Sequence, residues 1–81
     1  MVWKLQTILF PISSGDGWTL TSSKNYLIHN GYKHNKVDIK PGSGFIRYRQ
    51  RKPPSSGAYY KTLTRFKDGK KIELVYYYSN N

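Results

Sequence analysis

The sequence predicts an α+β domain in which one helix packs on one face of a small, mainly antiparallel sheet, in the order β-α-β-β-β. Three observations carry that expectation: a β-branched and aromatic opening segment, one stretch of helical periodicity closed by a glycine, and extended segments throughout the remainder. The 81 residues leave room for a single domain over 1–81, and a domain of that size buries only about 60% of its unfolded surface.

The first strand is expected over 1–10. Val2, Thr7, Ile8 and the aromatics Trp3 and Phe10 favour extended backbone, and Pro11 stops it. Trp3, Leu5, Leu9 and Phe10 alternate only in part. Residues 11–17 (Pro-Ile-Ser-Ser-Gly-Asp-Gly) have the composition of a loop. A helix is expected over 19–31. Thr19 is a natural N-cap, since its hydroxyl can accept from an orphan first-turn N–H. Leu20, Ser23, Tyr26, Leu27 and Asn30 then share one face, and Gly31 ends the run in a left-handed C′ conformation.

Residues 32–39 read as a short strand or an extended link, closed by Pro41-Gly42-Ser43-Gly44. A strand over 45–51 alternates cleanly, with Ile46, Tyr48 and Gln50 on one face and Phe45, Arg47, Arg49 and Arg51 on the other. Pro53-Pro54-Ser55-Ser56-Gly57 interrupts the chain, and a hairpin is expected over 59–78 around Asp68-Gly69. A two-residue turn sets Leu63 opposite Leu74, Arg65 opposite Ile72, Lys61 opposite Tyr76 and Tyr59 opposite Tyr78. The face with Leu63, Ile72, Leu74, Tyr76 and Tyr78 is expected to meet the helix; Thr62, Thr64, Glu73 and Val75 lie on the other. A one-residue slip would turn the apolar set into water. The tail, residues 79–81, is expected to fray.

Fourteen Lys and Arg stand against four Asp and Glu, a formal charge of +10. An aromatic content of 16%, including eight Tyr, is too high for a disordered polycation. With no cysteine, disulfides, a thiol nucleophile and Cys-based metal sites are excluded. No apolar run approaches the roughly 20 residues of a membrane span. Residues 1–10 are too short and lack the cleavage pattern of a signal peptide, so secretion is not expected.

The acids are too few and badly placed for catalysis. Asp16 and Asp68 each precede a glycine in a turn composition, which leaves Asp38 and Glu73. His29 and His34 straddle Gly31 without a third ligand, as two solvated histidines at a helix end. No enzyme, metal or cofactor is expected.

Charge is densest in Arg47, Arg49, Arg51 and Lys52. Alternate strand residues lie about 6.6–6.8 Å apart at ~3.3–3.4 Å per residue, close to two ~3.4 Å phosphate steps along one DNA strand. Phe45, Tyr48, Tyr59 and Tyr60 are interleaved with these cations, as in surfaces that stack unpaired bases. The expected nucleic-acid-binding set is Arg47, Arg49, Arg51, Lys52, Lys61 and Arg65. The plainer reading is a solvated sheet face or a charge-protected edge, with tyrosines packing the core. The same basic surface could equally dock an acidic protein.

Several stretches resemble a short domain of phage and large (giant) DNA virus proteins. They are Gln6-Thr7-Ile8-Leu9-Phe10, Trp18-Thr19, Tyr26-Leu27, Asn30-Gly31-Tyr32-Lys33, Lys36-Val37-Asp38, Ile46-Arg47-Tyr48-Arg49-Gln50 and Tyr60-Lys61-Thr62. The Arg-x-Arg-Gln strand after Lys-Val-Asp is the most specific part. Ser23 stands where that pattern has a small apolar residue, Tyr26 where it has Trp, and Ile28 where a charge is common. The resemblance implies a viral protein and a fold rather than an activity. It also implies that Arg47, Arg49 and Gln50 belong to the design of the domain, whether to read phosphate or to lock the fold through an Asp38–Arg49 pair.

The expected function is therefore non-specific nucleic-acid binding in genome packaging or organisation, with DNA ahead of RNA, in a virion or infected cell. The alternative is a virion structural or adaptor protein, its aromatic C-terminal strand pairing with a partner by its edge. A homodimer is the expected way for so small a domain to grip a long polymer.

Overall fold

The computed structural model describes residues 2–12, 17–39, 44–52 and 59–79. One helix, α1 (Leu20–His29), and five strands are formed: β1 (Val2–Pro11), β2 (Val37–Ile39), β3 (Phe45–Arg49), β4 (Tyr60–Lys67) and β5 (Lys70–Ser79). All pairings are antiparallel and the sheet runs β2-β3-β1-β5-β4. The α+β class holds, but the chain order is β-α-β-β-β-β, because residues 37–39 add a short edge strand. The C-terminal strand is not an edge: β5 lies between β1 and β4.

The broken alternation of β1 has a physical cause. Leu5 pairs with Tyr76 and Thr7 with Val75, so Gln6 is an extra residue in a β-bulge. The bulge shifts the side-chain phase by one. Trp3 and Leu5 before it, and Ile8 and Phe10 after it, therefore point to the same side. The bulged carbonyl of Gln6 accepts from Gln50 N–H at 2.7 Å and Arg51 N–H at 3.3 Å. These two residues thus leave the ladder, and β3 ends at Arg49 rather than at 51.

The core lies between α1 and the sheet. Ile8, Phe10, Ile46, Tyr48, Ile72 and Leu74 are buried together with Leu27 and Trp18. Phe10 sits at its centre, edge-on to Trp18, Tyr26 and Tyr48 with centroids 4.9, 5.8 and 5.6 Å away. Such a ring contributes about 1.5–3 kcal/mol by burial alone. On the helix, Ser23 and Leu27 are buried and Tyr26 half-buried, whereas Leu20 and Asn30 are exposed. The apolar stripe is thus narrower than its spacing implies. Ser23 Oγ lies 2.9 Å from Tyr48 Oη, so the hydroxyl in an apolar position is satisfied inside the core.

Thr19 Oγ1 accepts from Ser22 N–H at 3.0 Å while Ser22 Oγ accepts from Thr19 N–H at 2.9 Å, a reciprocal capping box. The helix stops at His29, inside the expected 31, because Asn30 is the C-cap and Gly31 turns left-handed at φ +75. Gly31 N–H then reaches Ile28 C=O, and Tyr32 N–H reaches Leu27 C=O at 2.9 Å, closing a Schellman motif. The hairpin register is the one its turn dictates, with Leu63 opposite Leu74 and Arg65 opposite Ile72. Asp68 and Gly69 both have positive φ, 53 and 78, as a type I′ turn requires. The expectations for Asp16, for Pro41 to Ser43, for residues 53–57 and for the tail at 80–81 lie outside the described residues.

Candidate nucleic-acid interface

The six expected site residues separate into three groups. Arg49, Arg51 and Lys52 gather at the C-terminal end of β3 around an open cleft of about 510 Å³. Lys33, His34 and Lys36, on the loop after the helix, form its opposite wall. Five permanent cations therefore line one concavity, and among the described residues no carboxylate lines it.

The wall is fixed by backbone bonding. Gln50 is buried, and its amide reads both backbone groups of one residue. Its Oε1 accepts from Lys33 N–H at 2.9 Å, and its Nε2 donates to Lys33 C=O at 2.8 Å. On the other side of the strand end, Arg49 N–H donates to Lys36 C=O at 3.0 Å. Lys33 and Lys36 are thus anchored by their backbones while their side chains remain exposed. Like charges held this close repel one another, and an anion placed among them relieves that repulsion.

Arg47 belongs to a different environment. It stands opposite Asp38 in the β2–β3 ladder, and its Nη2 lies 3.7 Å from Asp38 Oδ2. The acid partner is therefore Arg47, not Arg49, because cross-strand register puts Asp38 directly opposite residue 47. Arg47 and Arg49 both line a smaller cleft with Lys36 on the same sheet face.

Lys61 and Arg65 lie elsewhere. They sit on β4, at the far edge of the sheet from β3, and their pairing with Tyr76 and Ile72 puts them on the helix side. Arg47 and Arg49 pair through β1 with Leu9 and Thr7, on the opposite face. Lys61 Nζ sits 4.4 Å from the Trp3 ring centroid and 5.9 Å from that of Tyr76, a cation–π site. Arg65 is near Tyr26: burial, then Tyr32, holds the Tyr26 hydroxyl above its ordinary value, and Arg65 opposes that shift. These two cations do not join the cleft.

The expected stacking aromatics also divide. Tyr48 is a core residue at 1% exposure and cannot meet a base. Tyr59 and Tyr60 are exposed and Phe45 is half-buried; Tyr32, outside the expected set, lines the cleft. Another cleft, of about 560 Å³, lies between the helix and the hairpin turn, but Asp68 sits among its cations. Glu73 pairs with Lys71 at 3.3 Å. His29 is exposed at the helix end, while His34 is half-buried in the cleft wall rather than solvated. Among the described residues no three His, Cys, Asp or Glu converge as a metal site.

Sequence reasoning missed Lys33 and Lys36 because they lie on the loop before β2, not on β3 itself. A signal was present: Gln50 occupies the core-facing phase of a strand whose other inward residues are Ile46 and Tyr48. A buried amide must find hydrogen-bonding partners, and a neighbouring loop backbone supplies them. No family model, curated protein sequence or solved structure matches this chain.

Proposed function

We propose that the protein binds nucleic acid with little sequence preference, through the cleft between the end of β3 and the loop 32–36, and serves genome packaging or organisation. The observation that carries this reading is the meeting of Lys33, Lys36, Arg49, Arg51 and Lys52 around one concavity that, among the described residues, no carboxylate lines. The helix supports a backbone-directed mode: its one lysine is Lys24, and its apolar side is committed to the core. Phosphates would be neutralised by the exposed side chains while Tyr32 offers a ring at the rim.

A mobility-shift titration at two salt concentrations tests this. Binding should weaken steeply with salt, with a log–log slope of roughly −0.9 per phosphate neutralised on duplex DNA. Arg49→Ala/Arg51→Ala should flatten the slope by about two units, whereas Lys61→Ala/Arg65→Ala should leave it within about half a unit. Failure of the wild type to bind at about 50 mM salt, where phosphate contacts are strongest, removes the reading.

A further inference from the structure

β4 is the last strand of the sheet, at the edge away from β3. Among the described residues nothing pairs with its outer side. Tyr78 N–H donates to Tyr59 C=O at 2.9 Å, which sets the phase of the ladder. Odd-numbered residues of the strand direct their backbone groups to β5, so those of Tyr60, Thr62, Thr64 and Phe66 point outward. Seven of the eight residues are exposed, Leu63 alone being half-buried. Lys61, Leu63, Arg65 and Lys67 face the helix side of this rim, and Tyr60, Thr62, Thr64 and Phe66 face the open side. The strand carries no acid, and among the described residues none of its three cations is in an ion pair.

A second copy is a poor occupant. Paired antiparallel with itself, β4 would set Lys61 opposite Arg65 or Lys67, and directly opposed like charges are destabilising. A phosphodiester chain has charge but lacks alternating N–H and C=O groups. We propose that the β4 edge accepts an extended acidic segment of another protein as a sixth, antiparallel strand. Its carboxylates lie beside Lys61 and Arg65, with an apolar residue between them against Leu63. Backbone bonding supplies affinity and the alternating charge supplies specificity.

The test uses a labelled peptide, Thr-Asp-Val-Leu-Val-Asp-Thr, and fluorescence anisotropy with the full chain. The peptide should bind, and its version with both Asp replaced by Lys should not. N-methylation of the two Val amides, which face Thr62 and Thr64 in this register, should abolish binding; N-methylation of the Asp and Leu amides should not. Arg65→Glu should weaken binding about tenfold through like-charge repulsion. Equal binding of the two N-methylated peptides, or of the lysine peptide, overturns the proposal. Displacement of the peptide by a thymidine oligonucleotide assigns the edge to nucleic acid and also overturns it.

Discussion

The two edges of the sheet both carry cations and arrange them differently. At the β3 side, Arg49, Arg51 and Lys52 meet Lys33 and Lys36 because one buried amide, that of Gln50, pins the loop against the strand end. At the β4 side, Lys61, Arg65 and Lys67 are strung along an edge, and Lys61 is engaged by the Trp3 ring. Charge alone therefore does not define a site. What differs is convergence, and here it depends on a polar residue that carries no charge itself.

The sharpest way to break this contrast is Gln50→Leu. Losing both bonds to the Lys33 backbone should cost about 1–3 kcal/mol of stability, read by urea denaturation. Nucleic-acid binding measured well below the transition should fall as far as in Arg49→Ala/Arg51→Ala, since the wall is released. If binding is unchanged in the folded variant, the pinned loop is not part of the interface.

A pair of matched substitutions sharpens it further. Lys61→Met keeps the aliphatic stem but removes the cation over Trp3, and should cost about 0.5–1 kcal/mol. Arg51→Met, at an exposed position, should change stability by less than about 0.5 kcal/mol while reducing the salt slope by roughly 0.9. Thermal melts and salt titrations of both proteins check the reciprocal pattern: one cation is felt in stability, the other in binding.

The smallest effect is expected at Asp38. The Asp38–Arg47 pair is about half exposed on both sides, so Asp38→Asn should cost only about 0–1 kcal/mol. It should also free Arg47 for phosphate and steepen the salt slope by up to roughly 0.9. An unchanged slope would place Arg47 outside the interface altogether.

The difference between local and distant information explains what could be read in advance. Thr19 as cap, Gly31 as helix stop and Asp68-Gly69 as hairpin turn were legible because each is a local rule of backbone geometry, acting over four residues or fewer. The hairpin register followed from the turn, and with it the apolar side of β5. The phase of β1 was not legible as a number, although the partial alternation of Trp3, Leu5, Leu9 and Phe10 was visible: a bulge at Gln6 is placed by what β3 and β5 require on either side.

By itself, then, the sequence determined the helix cap and stop, the hairpin turn with its register, and the excess of positive charge, because propensity and turn chemistry act between near neighbours. Only the tertiary structure decided which charges meet. Strand order put β4 at the edge far from β3, and the bulge ended β3 at Arg49. Register gave Asp38 to Arg47, and the Gln50 amide brought Lys33 beside Arg51 across the chain. These are long-range pairings, set by burying the apolar face of every strand at once and satisfying each polar group enclosed with it.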